Sequence, residues 1–198
     1  MTDSVLIDQY LQGNVSAFNT LVWRWEKPMY HFIHRTIGNE DTAKDLCQTL
    51  FIKMFRDLKK LRDPEKLKPW LYQIALNLCR DEMRRRKRQR FFYIDSSYND
   101  ESANSVRNIP DDKVKSPDDV LENSQIGDIL KKSLMAIPVE QRTIIVMKQY
   151  QDLKFSEISD ILNIPVNTVK SRLYYGLKAL RKILEASKLN KEVLLHEM

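Results

Sequence analysis

Glycine is nearly missing from this chain, with four residues in 198. That scarcity excludes a glycine-rich loop cradling a nucleotide phosphate, and no phosphate-binding spacing occurs. Alternation of apolar and polar residues is almost absent too, so sheet is not expected. No apolar run approaches the roughly 18 residues of a membrane-spanning helix. Residues 1–13 lack the basic start and apolar core of a secretory signal. The two cysteines, Cys47 and Cys79, make neither a disulfide framework nor a four-ligand zinc site. Both sit in apolar helical patterns and are expected as small buried side chains in a reducing cytosol.

Chemistry-bearing clusters are missing as well. His31 and His34 share a helical face, but no further ligand follows at a useful spacing, so they are expected to pack rather than to bind metal. Asp111-Asp112 and Asp118-Asp119 lie among lysines and read as solubilising charge. No serine or cysteine can be given both a base and an orienting group. The expectation is a protein that is not an enzyme, with no metal, no cofactor and no catalytic residue.

What the chain does have is charge, unevenly spread. Residues 1–90 carry 18 basic and 11 acidic side chains, residues 91–124 carry 3 and 8, and residues 125–198 carry 12 and 8. Two basic blocks flank an acidic stretch, a layout suited to a nucleic acid touched in two places. The fold expected is all-α: two small helical domains, at residues 1–92 and 125–186, joined by a flexible acidic linker over 93–124, with a tail over 187–198. The linker reading rests on Asp, Asn, Ser and Pro replacing the apolar residues.

In the first domain a short helix from residue 4 to 11 precedes a second that Pro28 kinks or divides, ending at Gly38-Asn39. Asp41 is the expected cap of a third helix reaching residue 58, with Ala43, Leu46, Leu50 and Met54 along its buried side. Phe51 and Phe55 fall off that stripe, which fits either a second contact surface or a wide apolar arc. After a polar connector over 59–68, Pro69 stands in the first turn of a long helix. That helix ends in Arg84, Arg85, Arg86, Lys87 and Arg88, with Arg90 just beyond. Like charges three and four residues apart destabilise a helix unless an anion neutralises them, so this end asks for a polyanion.

The second domain carries the sharpest local pattern. A short helix after Phe155 is followed by Asn163, a residue tolerant of the left-handed conformation, and then by Pro165 opening another helix. That is the build of a helix–turn–helix whose second helix enters a major groove. Val169, Leu173 and Leu180 would face the core, and Asn167, Thr168, Lys170, Ser171, Arg172 and Tyr174 would lie near the exposed start. Lysine and arginine hold phosphates, while asparagine or arginine reads base edges. An ordinary helical hairpin with a solvated face has similar composition; the spacing and Pro165 favour DNA.

Together these segments resemble a bacterial RNA polymerase sigma factor of the extracytoplasmic-function (ECF) type, in the sigma-70 family. Residues 39–55, NEDTAKDLCQTLFIKMF, resemble the helix that docks on the polymerase core, and Asp45, Leu46, Gln48 and Phe51 match its pattern, with Phe55 beside them. Thr49 stands where a glutamate is frequent. Residues 69–86, PWLYQIALNLCRDEMRRR, look like the helix that melts and captures the minus-10 element, with Trp70, Tyr72, Ile74, Ala75, Asn77, Asp81 and Arg84 at pattern positions. Leu76 replaces a common arginine there. The resemblance places a flipped base at the preceding loop, residues 61–68, which brings in Arg62 and Lys66; Arg85 and Arg88 extend the basic surface.

Residues 153–180, LKFSEISDILNIPVNTVKSRLYYGLKAL, resemble the minus-35 reading domain, with Asn167, Thr168, Lys170, Ser171, Arg172 and Tyr174 toward DNA. Lys154 takes the place of a frequent capping serine, and Tyr175 and Leu177 the places of common arginines. The resemblance implies a cytoplasmic initiation factor, monomeric when free, that binds core polymerase and promoter DNA. It also implies an anti-sigma partner, of a kind commonly attached to the membrane, with no membrane insertion of this chain itself. The competing reading is a helix–turn–helix regulator that works without being a polymerase subunit. It accounts for residues 139–186 but not for the basic melting helix.

Overall fold

A computed structural model of the chain describes residues 1–96 and 125–186, and these form helices and turns. The first bundle contains α1 (Asp3–Leu11), α2 (Val15–Ile37), α3 (Glu40–Asp57) and α4 (Leu67–Ser96). The second contains α5 (Gln125–Met135), α6 (Val139–Ile145) running into one π-helical turn (Val146–Tyr150), α7 (Phe155–Leu162) and α8 (Val166–Ala186).

Helix α2 is the hub of the first bundle and packs on α1, α3 and α4. It runs unbroken through Pro28. The neighbours Met29, Phe32 and Ile33 are fully buried, so tertiary packing outweighs the one lost amide donor. Asp3 ties α1 down by accepting from Trp25 Nε1 at 3.1 Å while pairing with Arg24. The turn into α3 corrects the expected cap: Asn39, not Asp41, is the N-cap, its Oδ1 accepting from the Thr42 amide at 2.9 Å. Asp41 instead places charge in the first turn, where the helix dipole favours it. Gly38 closes α2 at φ 78°, a left-handed conformation that glycine adopts without strain.

The connector between α3 and α4 is two 3-10 turns, Leu58–Lys60 and Pro64–Lys66, pinned at either end by buried Leu58 and Leu67. Helix α4 begins there, so Pro69 occupies its first turn. Its buried side carries Leu71, Ala75, Leu78 and Cys79. Glu82 is buried as well, and it pairs with both Arg85 and Arg86 at 2.7 Å. Arg86 reaches on to Thr42 Oγ1 at 2.6 Å and so clasps α4 to the start of α3. The helix continues to Ser96, beyond residue 92, so the expected linker is helical at its start. The rest of that linker and the expected tail lie outside the described residues.

In the second bundle α6, α7 and α5 all pack on α8. Asn163 terminates α7 at φ 52°, as its residue type predicts, and the Pro165 carbonyl accepts from the Thr168 and Val169 amides to start α8. Gly176 lets α8 lie close to α6: a Cβ there would stand 3.0 Å from Ile145 Cδ1 and 3.1 Å from Gln141 Cβ. Lys154 is the N-cap of α7, and its amide donates to Glu157 Oε2 at 2.6 Å. That bond is the half of a capping box contributed by the glutamate; the half a serine hydroxyl would add, accepting from the Glu157 amide, is one a lysine side chain cannot make.

Candidate nucleic-acid and polymerase interfaces

The period of α4 sorts its side chains into separate stripes. Trp70, Ile74, Asn77, Asp81, Arg84 and Arg88 succeed one another at three or four residues along one open side. At its N-terminal end this side forms a cleft of about 360 Å³, lined by Trp70, Ile74 and Asn77 together with Lys53, Arg56, Asp57 and Lys60. Asp57 accepts from Arg56 Nη2 at 2.9 Å and from Lys60 Nζ at 2.6 Å. Those two bonds, Arg56 first, hold its carboxyl down to about 2, so it stays ionised and steadies the two cations. An indole, an amide and three cations around one opening suit an unstacked base and its flanking phosphates.

The structure brings Trp70 and Asn77 together there and leaves the other expected minus-10 residues at varied places. Asp81 and Arg84, 3.5 Å apart, and Arg88 continue along the open side. Arg85 turns back to Glu82. Arg62 and Lys66 are exposed in and beside the 3-10 turns and do not line the cleft. Tyr72 lies on a different stripe and is only 2% exposed. Sequence reasoning missed Lys53, Arg56 and Lys60. The signal was available, since they recur at spacings of three and four where α3 runs into the connector.

Helix α3 presents a second outward stripe of Asp45, Gln48, Ile52 and Phe55. Ile52 is 68% exposed and Phe55 54%. The Phe55 ring is held in place by Phe18, edge-on with centroids 5.2 Å apart, and by Tyr10 at 6.1 Å. Leu46 and Phe51 are half-buried against the core at the margin of this stripe. Phe51 thus widens the apolar arc against the core, while Phe55 stays half open to solvent beside it. Ile52, and Trp23 on the outside of α2, are exposed apolar residues that sequence reasoning also missed.

On α8, Val169, Leu173 and Gly176 are buried while Asn167, Lys170, Ser171 and Tyr174 are exposed. Thr168 and Arg172 are half-exposed. Neither Lys170 nor Arg172 pairs with a carboxylate among the described residues, so both charges are available to a ligand. Lys170 lies over Phe155, its Nζ 5.8 Å from the ring centroid. Tyr175 and Leu177 continue the exposed surface toward the end of the helix.

Residues 21–89 match the model for sigma-70 region 2, and residues 128–180 match that for sigma-70 region 4. The chain is 33% identical over 177 residues to the ECF RNA polymerase sigma factor SigW of Bacillus subtilis, covering 89% of this chain and 93% of the relative. It is 27% identical over 183 residues to the ECF RNA polymerase sigma-E factor of Escherichia coli K12, covering 91% and 93%. Among solved structures, the sigma factor RpoE in complex with the anti-sigma factor NepR, from Bartonella quintana, aligns at TM-score 0.63 with 20% identity over 85% of this chain and 96% of that one. CnrH in complex with the cytosolic domain of CnrY aligns at 0.63 with 22% identity over 93% and 97%. The chain belongs to the ECF sigma factors of the sigma-70 family, and is a transcription initiation factor that directs RNA polymerase.

Proposed function

We propose that the Trp70–Asn77 cleft receives an unstacked base of the opened minus-10 strand, while Lys53, Arg56 and Lys60 hold its phosphates. Stacking and charge contacts made only with opened DNA bias the melting equilibrium, so strand separation follows from binding and no bond-making chemistry is required of this chain. Arg84 and Arg88 carry the strand's backbone further along α4. The outward stripe of α3 docks on core polymerase through Ile52 and Phe55, with Asp45 and Gln48 fixing register. Asn167, Lys170, Ser171 and Arg172 at the start of α8 read the minus-35 duplex.

The observation that carries this reading is the cleft: an indole and an amide from α4 facing three cations at the end of α3. A regulator working without polymerase would use α8 and leave the cleft and the α3 stripe idle. Its action on polymerase puts the protein in the cytoplasm, as a monomer until it meets core enzyme. The two aligned structures, each a complex of a sigma factor or CnrH with a second protein, support an anti-sigma partner here as well.

Transcription by purified core polymerase over a genomic promoter library tests this. The chain should direct new promoter-specific transcripts, and Trp70→Ala should lower them by the equivalent of about 1–3 kcal/mol, the worth of one stacked base. No specific transcripts with core enzyme, or full activity of Trp70→Ala together with Asn77→Ala, overturns the reading.

A further inference from the structure

The Trp70 cleft is built before any strand arrives. One carboxylate sets its charged rim: Asp57 accepts from Arg56 Nε and Nη2 and from Lys60 Nζ, which holds both cations in one place. Arg56 Nη1 and two of the Lys60 ammonium hydrogens are left over, with no partner among the described residues. Lys53, half-buried at the same opening, pairs with no carboxylate among them. Three cations and one carboxylate that is ionised at neutral pH give the rim a net charge of +2.

The opposite wall belongs to α4. Trp70, Ile74 and Asn77 follow one another along its open side and supply an indole face, an apolar edge and a single amide. The cleft encloses about 360 Å³, at the small end of the range for ligand sites, which is room for one nucleotide and not for a run of them. Arg84 and Arg88, which suit a longer backbone, lie about two and about three turns beyond Asn77 and outside it. Every group in the cleft therefore addresses the base or the phosphate of a single nucleotide. None needs that nucleotide to be joined to a neighbour. An internal phosphodiester carries one charge, whereas a phosphate monoester carries about −1.5 to −2 at neutral pH and matches the rim more closely.

We propose that the cleft is also a site for a free purine nucleoside 5′-monophosphate, its base on the Trp70 indole and its phosphate against Lys53, Arg56 and Lys60. This rests on the reading of the cleft as a base-holding site. A purine offers the indole a wider face than a pyrimidine does. Cations fixed in advance by Asp57 cost a small ligand little ordering. The bound nucleotide and an opened strand exclude one another, so the apparent affinity for strand falls as free nucleotide rises. Strand capture is thereby tied to the state of the nucleotide pool.

The test is equilibrium dialysis of the full-length chain against radiolabelled adenosine 5′-monophosphate. One equivalent should bind, Trp70→Ala should weaken binding about tenfold, and Lys60→Ala about threefold. The Lys60 side chain is 77% exposed, so that variant keeps the fold and decides the matter if Trp70→Ala does not fold. Unlabelled adenosine and inorganic phosphate should each displace the label at least about tenfold less effectively than the nucleotide, because each carries only one of the two joined parts. Saturating nucleotide should release a fluorescent single-stranded DNA of random sequence. The site is overturned by no binding, by binding unchanged in the variants, by inorganic phosphate displacing as well as the nucleotide, or by strand retained at saturation. The base-holding reading is judged apart from this. Promoter-specific transcripts that fall in Trp70→Ala leave it standing when the site is overturned, and full activity of Trp70→Ala together with Asn77→Ala removes it.

Discussion

Tyr72 and Gln151, 79 residues apart in sequence, meet through a 2.7 Å hydrogen bond between the phenol and the amide oxygen. Burial pushes the phenol far above its ordinary range, so it remains a donor at every working pH. Tyr72→Phe keeps the ring edge-on to Phe32 and removes only the donor. A double-mutant cycle of Tyr72→Phe with Gln151→Ala, read by urea unfolding of the full chain, should give a coupling of about 1 kcal/mol. Additive effects would show that the bond contributes nothing to stability.

Ile52→Asp and Phe55→Ala should each weaken binding to core polymerase, Ile52→Asp more than about tenfold, measured by fluorescence anisotropy with labelled full-length chain. Ile52 is 68% exposed, so its replacement should change unfolding stability by less than about 0.5 kcal/mol. Phe55→Ala carries a modest stability loss, because its ring meets Phe18 and Tyr10. Asp45→Ala should also weaken core binding with the fold intact. Unchanged affinity in all three removes the α3 stripe from the polymerase interface.

Lys170→Ala and Arg172→Ala should reduce minus-35-dependent transcription and flatten its dependence on salt. Removing one cation from a phosphate lowers the log–log salt slope by about 0.9 on duplex DNA. Full activity with an unaltered slope would show that the start of α8 does not hold duplex.

His34 predicts a loss of stability in mild acid. Burial, followed by the Lys131 charge, lowers its imidazole from 6.5 to about 4; Glu40 acts the other way, while His31 and Arg35 lower it further. The unfolded chain therefore takes up a proton between these values that the folded chain refuses. The stability due to neutral His34 is complete above pH 6.5, falls by at most about 1.4 kcal/mol per pH unit below it, and is gone below pH 4. Denaturant titrations at several pH values should show this slope in the parent and a shallower one in His34→Gln. Equal slopes would mean that His34 is not desolvated.

The parts of the fold set by local chemistry are legible in the sequence. Asn163 and Pro165 mark the helix–turn–helix because left-handed tolerance and a fixed φ act within a few residues. Asn39 and Asp41 compete for the cap of α3 on residue type alone, and the choice falls to Asn39 because of where α2 stops. The cleft is half legible. Trp70 and Asn77 belong to one helical stripe, but Lys53, Arg56 and Lys60 come from another helix and the turn after it, and only tertiary packing brings them there. The contact of Tyr72 with Gln151 is invisible for the same reason, and Leu76 reads as a missing cation when it is a buried side chain.

Cys47 and Cys79 are both enclosed in the first bundle, and desolvation raises their thiols to about 11 and about 12. At neutral pH no more than about one Cys47 in ten thousand is thiolate, the form that peroxides and electrophiles attack. The thiol chemistry of these two cysteines is accordingly suppressed in the native fold, and unfolding of the first bundle is what would restore it.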